Sequence, residues 1–192
     1  MHALWAVEIA RDQPFDRIVE LCCGAGQIGL LAAWWTRRPL LQVDTDPVAC
    51  RFARLNAGEA GLADQVEVMN APAAWCLPPA VRTHLIIADP PSLTSDESTR
   101  WAHSPISAVD GGADGLDRIR DCLELAVDHL HPDGSLLLQV QGAAQAAAVD
   151  VEIARVALPL EVSEVREVGV AGAVMRVVPA VSARGRRESD VE

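Results

Sequence analysis

The sequence predicts an α/β fold: a mostly parallel, seven-stranded sheet with helices on both faces and a C-terminal antiparallel hairpin. Three observations carry that expectation. Short apolar runs alternate with segments of helical period along nearly the whole chain, the pattern of repeated βαβ units. A glycine-rich turn, Gly24-Ala25-Gly26-Gln27-Ile28-Gly29, joins the first apolar run to the first helical segment. Two further runs end on carboxylates, Asp44 and Asp89, at the strand edge where open α/β sheets bind their ligands.

The elements follow in order. Ile18 to Cys22 is the first strand, followed by a helix over 28–36 and a strand from Leu40 to Asp44. A helix over 47–60 starts with Asp46 as its cap and Pro47 in its first turn. The next strand runs from Val66 to Met69, and Pro72, Pro78 and Pro79 break up the segment around Trp75. Strand Leu85 to Ala88 leads into an irregular loop from Pro90 to about Gly115. Leu116, Ile119, Leu123, Ala126, Val127 and Leu130 recur at three- and four-residue spacing, a helix with one apolar face that Pro132-Asp133-Gly134 is expected to end. Strand Ser135 to Val140 and an Ala-rich helix come next. The runs Leu160 to Val168 and Ala173 to Val181 have no helix between them and are expected to pair as a hairpin. The tandem Trp34-Trp35 is expected to place one ring on the core and leave the other partly exposed.

Size and composition bound the function. With 192 residues, 50% of them hydrophobic, the chain suits one domain over residues 1–181 with a flexible polar tail at 182–192. A net charge of −11 repels polyphosphate, which disfavours long nucleic acid as a partner; the basic run Arg184-Gly185-Arg186-Arg187 lies in the tail among Glu188, Asp190 and Glu192. All 16 basic residues are Arg and there is no Lys or Tyr, which rules out a catalytic lysine and a tyrosine general acid. The five cysteines show no CxxC pairing, so neither a metal site nor a disulfide framework is expected, and a reducing cytoplasm fits. No leader pattern opens the chain and no stretch approaches the ~18 apolar residues of a membrane span, so a soluble, cytoplasmic protein is expected.

Asp89-Pro90-Pro91-Ser92 is the most informative stretch. Two prolines lack ladder donors, so the strand ends there and leaves the Asp89 carboxylate beside the Pro90 carbonyl at the sheet edge. That pair is suited to accept both hydrogens of one NH2 group. Upstream, Glu20 ends the first strand just before the glycine loop, where it suits a cationic amino group and suits a pyrophosphate badly. This favours S-adenosylmethionine, although the loop also matches the dinucleotide pattern of an NAD-binding oxidoreductase. Asp44 suits the ribose hydroxyls of either cofactor.

The ordered set Glu20-Leu-Cys-Cys-Gly-Ala-Gly, Val43-Asp44-Thr-Asp-Pro and Ala88-Asp89-Pro-Pro resembles a class I S-adenosylmethionine-dependent methyltransferase. The stretch Pro105-Ile-Ser-Ala-Val-Asp-Gly-Gly-Ala-Asp-Gly-Leu-Asp117 narrows the likeness to the HemK (PrmC) type, the glutamine-amide methyltransferases that modify peptide release factors. With Pro132-Asp-Gly-Ser-Leu-Leu-Leu138, the similarity spans roughly residues 17–142. The resemblance implies a Rossmann-like class I methyltransferase fold, with Glu20, Cys22, Gly24, Gly26, Asp44, Thr45, Asn70 and Asp89 around the cofactor. It also implies Asp89 and Pro90 as the groups that orient the acceptor nitrogen. The family has Asn-Pro-Pro-Tyr where this chain has Asp89-Pro90-Pro91-Ser92, and its acid after the third strand falls at Asn70 to Pro72, where no acid stands. Since the first strand starts at Ile18, the helical amino-terminal substrate domain of release-factor enzymes is expected to be absent.

The expected function is therefore methyl transfer from S-adenosylmethionine to an amide or amine nitrogen of a peptide, a protein or a small molecule. Pro91, Ser92, Trp101 and His103 are the substrate-side candidates, with ordinary loop packing as the alternative for Trp101 and His103. Two further readings stay open. Ser92, which cannot stack on a planar acceptor, fits a non-catalytic S-adenosylmethionine-binding partner, and Asp-Pro-Pro also serves the exocyclic nitrogens of nucleic acid bases.

Overall fold

Ile18–Leu21 (β1) is buried on both faces, as an apolar run between two helical layers must be. In this computed structural model, which describes residues 1–12, 17–101, 104–168 and 172–180, β1 is the centre from which the sheet grows both ways. It pairs in parallel with Leu40–Asp44 (β2) on one side and with Thr83–Ala88 (β4) on the other. Val66–Asn70 (β3) extends the β2 side in parallel. On the other side Leu130–Val140 (β5) pairs in parallel with β4, and the hairpin of Leu160–Val168 (β6) and Gly172–Pro179 (β7) closes the edge antiparallel. The seven strands run β3-β2-β1-β4-β5-β7-β6, so the order reverses between β1 and β4. Chain connections leave in opposite directions there, which opens a crevice at the carboxyl ends of the strands.

Helices His2–Asp12 (α1), Gln27–Thr36 (α2) and Pro47–Glu59 (α3) follow the chain through the first three strands. Trp5, Ile9, Leu30, Ala33, Leu85, Ile87 and Leu137 belong to one apolar cluster, which is the layer these helices make with the sheet. The opposite layer packs Val19, Ile86, Leu136 and Leu138 against Asp117–His129 (α5) and Ala143–Arg155 (α6), through Ile119, Leu123, Val149 and Ile153. Alternate residues of each strand feed the two layers, as a period of two requires.

The predicted strands, the seven-stranded sheet and the hairpin are all present, and several boundaries differ for physical reasons. Pro132-Asp133-Gly134 does not end the helix: α5 stops at His129 and the chain enters β5 at once, with Leu130 opposite Thr83. The Pro-Asp-Gly triplet instead occupies a register shift, after which Ser135 pairs with Leu85. The loop from Pro90 to Gly115 is less irregular than expected. It holds a short helix, Ser95–Ser98 (α4), closed by a Thr94/Glu97 capping box, and a 3-10 turn at Ile106–Ala108. Neither Trp34 nor Trp35 enters the core, and both rings remain nearly half exposed at 48% and 47%. Arg37 and Arg11 stack over them at 5.7 and 5.9 Å. The tail at 182–192 lies outside the described residues. No helix among the described residues is long and apolar enough to cross a membrane.

The buried indole comes instead from α1, an element with no advance signal. Trp5 is 2% exposed, and Arg166 of β6 lies 4.0 Å over its ring while also bonding Glu8 at 2.7 Å. His2 anchors the start of the helix by a 3.1 Å bond from its Nε2 to the Leu137 carbonyl, and burial holds its imidazole neutral with a pKa near 4. Replacing Trp5 with Ala is expected to lower the unfolding free energy by about 3–5 kcal/mol. The same change at exposed Trp35 should cost under about 0.5 kcal/mol, and urea denaturation of the two variants measures the contrast.

Candidate functional site

The parallel registers bring the strand ends into one row. Leu21 stands opposite Val43 on β2 and opposite Ala88 on β4, so the residues beside them, Glu20, Asp44 and Asp89, converge on the crevice. All three line a cavity of about 390 Å3, within the roughly 300–1,000 Å3 of small-molecule sites. Cys22, Gly24, Ala25, Thr45, Asp46 and the stretch Ala71 to Ala73 also belong to its lining.

Glu20 is buried and doubly bonded. Its Oε1 accepts from the Gly29 amide at 2.9 Å, and its Oε2 accepts from Gln42 Nε2 at 2.7 Å, the same nitrogen that donates to the Gly26 carbonyl at 2.9 Å. Those donors favour the carboxylate, yet burial outweighs them, with Asp89 and Asp44 adding repulsion, and pushes Glu20 up to about 7. Gln42 Oε1 is buried with no hydrogen-bond partner. The glycines are required by this packing: a Cβ at Gly26, where φ is +86°, would enter the Gln42 amide, and one at Gly29 would enter the Glu20 carboxylate. Cys22 holds a left-handed φ of +52° at the start of the same turn, a conformation uncommon for a side-chain-bearing residue.

Asp44 joins two loops. Its Oδ2 accepts from the Gly24 amide at 2.8 Å and its Oδ1 from the Asp46 amide at 2.9 Å, which leaves lone pairs on both oxygens toward the cavity. Asp89 is open to the cavity, with enough protein around it to raise its carboxyl above the ordinary value. The donors and acceptors present fit a ligand with a cationic amine near Glu20 and a diol near Asp44. They do not fit a pyrophosphate, which would meet several carboxylates and no unpaired cation among the lining residues.

Some of the predicted site residues stand elsewhere. Glu20, Cys22, Gly24, Asp44, Thr45, Asp89 and Pro91 line the cavity; Gly26 and Pro90 are buried and outside the lining. Asn70 is outside the lining and donates from Nδ2 to the Asp44 carbonyl at 2.9 Å. Ser92 is buried away from the cavity, its hydroxyl accepting from Gln141 Nε2 at 3.1 Å. Trp101 is 55% exposed and also outside the lining, and His103 lies outside the described residues. Sequence reasoning missed Ser107, Ala108, Arg118, Asp121 and Cys122. The last three had a readable signal, since spacings of three and four place them on one face of α5 beside the apolar stripe. Arg118 pairs with Asp121 at 2.7 Å. A hydrogen bond with Cys22, and then burial, raise the Cys122 thiol well above its usual range, so it stays protonated and is no nucleophile.

No protein-family profile matches the chain. The release factor glutamine methyltransferase of Gloeobacter violaceus is 32% identical over 142 residues, 70% of this chain and 49% of the relative. The ribosomal protein uL3 glutamine methyltransferase of Bradyrhizobium diazoefficiens is 33% identical over 130 residues, 65% of this chain and 40% of the relative. The chain thus spans about half or less of the length of these relatives. Among solved structures, the ribosomal protein L11 methylase of Lactobacillus delbrueckii superposes with a TM-score of 0.68 at 13% identity, covering 93% of this chain and 76% of the other. An RNA methyltransferase from Salinibacter ruber, solved with S-adenosylhomocysteine, gives 0.54 at 16% identity, covering 92% and 88%.

Burial of Glu20 has a consequence for stability. Between pH ~4.5 and ~7 the folded protein keeps a proton on Glu20 that the unfolded chain has released, so this group's contribution falls as pH rises, by about 3 kcal/mol in all. Urea unfolding of the ligand-free protein at about pH 5 and pH 8 should show this loss, and Glu20→Gln should remove it.

Proposed function

We propose that this chain, a homologue of the glutamine methyltransferases with the class I methyltransferase fold, transfers a methyl group from S-adenosylmethionine to an amide or amine nitrogen of a protein or peptide side chain. The observation that carries the reading is the opening of Asp89 into the same cavity as Glu20 and Asp44, at the β1/β4 reversal. When bound, S-adenosylmethionine supplies a methyl group made electrophilic by its sulfonium.

The chain's own residues then have distinct roles. Glu20 in its ionised form receives the cofactor's amino group, Asp44 with Thr45 receives the ribose, and the small lining residues Gly24 and Ala25 let it approach the backbone. Asp89 and the Pro90 carbonyl each accept one N–H of the acceptor, which turns the nitrogen lone pair toward the methyl. As nitrogen gains positive charge, the Asp89 carboxylate stabilises it, and its raised affinity for protons lets it receive the one that nitrogen releases. Neither thiols nor a lysine need take part, since the displacement is direct. The domain over residues 1–181 would act in the cytoplasm on a protein acceptor, in keeping with the relatives' named substrates.

Incubation with S-adenosylmethionine and glutamine-bearing or amine-bearing peptides should add one methyl to the acceptor and yield S-adenosylhomocysteine. Asp89→Ala should lower turnover by on the order of 100-fold with S-adenosylhomocysteine affinity within a few-fold, read by mass spectrometry and calorimetry. An unchanged turnover would remove Asp89 from the mechanism. A chain that binds S-adenosylhomocysteine but methylates no acceptor would instead be the non-catalytic partner that Ser92, turned away from the cavity, also fits.

A further inference from the structure

We propose that Gln145, in the first turn of α6, is a positioning residue that sets the Asp89–Ser92 loop against the rest of the site. Its carboxamide reaches three segments at once. Nε2 donates to the Ser92 carbonyl at 2.7 Å and to the Gly115 carbonyl at 3.3 Å, while Oε1 accepts from the Gln141 amide at 2.8 Å. Gln141 completes the clamp from the β5–α6 turn by donating to the Ser92 hydroxyl. One amide therefore satisfies two carbonyls of the loops that bound the acceptor side, neither of which belongs to a helix or a strand.

The backbone beneath this clamp is packed without side chains. A Cβ at Gly111 would meet the Pro91 carbonyl at 2.8 Å, and one at Gly115 would meet the Ser92 carbonyl at 2.7 Å. Gly115 also holds φ of +74°, so a side chain there is disfavoured twice. The two segments are stitched by the Leu93 amide to the Val109 carbonyl and by the Gly111 amide to the Leu93 carbonyl, at 3.0 and 2.8 Å. The stretch 110–117 thus braces the loop carrying Asp89, and Gln145 locks the brace from the side. Ser92 gains a structural role by the same arrangement, because its hydroxyl is a partner in the clamp.

The inference rests on the methyl-transfer reading for its kinetic arm and on structure alone for its second arm. Two variants are needed, Gln145→Ala and the near-isosteric Gln145→Glu, which keeps the acceptor and loses both donors. A space-filling role would tolerate the carboxylate, whereas a donor role fails in both. The expected result is a kcat lowered by on the order of 10- to 100-fold in each, S-adenosylhomocysteine affinity within about twofold of the parent, and faster hydrogen exchange at the Leu93 and Gly111 amides. An unchanged kcat with unchanged exchange overturns the proposal, and so does an affinity for S-adenosylhomocysteine that falls in parallel with kcat. If the parent protein methylates no acceptor, the methyl-transfer reading fails, and exchange decides alone: faster at both amides supports the clamp, unchanged overturns it.

Discussion

Parallel pairing of β1 with β2 and with β4, in registers that align Leu21, Val43 and Ala88, is the constraint on which the rest depends. It forces three acids, distant in sequence, onto one short edge in a partly desolvated crevice. Such an arrangement opposes folding, because like charges repel and buried carboxylates lose solvation. The structure offsets the cost with fixed donors: the Gly29 and Gln42 nitrogens on Glu20, and the Gly24 and Asp46 amides on Asp44. Asp89 receives no such bond from the protein among the described residues. The acid left least satisfied is the one proposed to orient the acceptor nitrogen, and a local imbalance of this kind is what a functional site is expected to show in a fold that is consistent elsewhere.

Most of the sheet could be read directly, because strands buried on both faces give continuous apolar runs such as Leu85-Ile86-Ile87-Ala88, with no competing period. The register that gathers Glu20, Asp44 and Asp89 was accessible for the same reason, since each acid closes or nearly closes such a run. Other features were hidden. Helix α1 is tied down by contacts with Leu137 and Arg166, far away in the chain. Pro132-Asp133-Gly134 carries the composition of a stop, and only the pairing of Leu130 with Thr83 turns it into a bulge. Ser92 and Asn70 show the limit for individual side chains: both sit beside the site in sequence, and both spend their polar groups on neighbouring backbone or amide partners.

The long segment after Asp89 gains its order from hydrogen bonds more than from burial. Asp110 accepts from Ser95 Oγ and from the Gly112 amide, both at 2.9 Å, and Arg120 is held among Asp114, Asp117 and Glu152. Polar networks of this kind specify a loop geometry closely because each lost partner leaves another group unmatched. They explain how a stretch with few apolar anchors stays registered against Pro91 and Ser92.

The direct passage from α5 into β5 has a mechanical meaning. Arg118, Asp121 and Cys122 belong to the cavity lining in the first half of α5, and the other end passes directly into β5, where Leu130 pairs with Thr83 ahead of the bulge at Pro132-Asp133-Gly134; only from Leu136 onward is the strand paired on both sides. A rotation of that helix would act first on the single Leu130–Thr83 pair. The bulge thus sits like an expansion joint between the helix that lines the cavity and the doubly paired half of the strand, and it is where a displacement of that helix would be taken up before it reached the sheet.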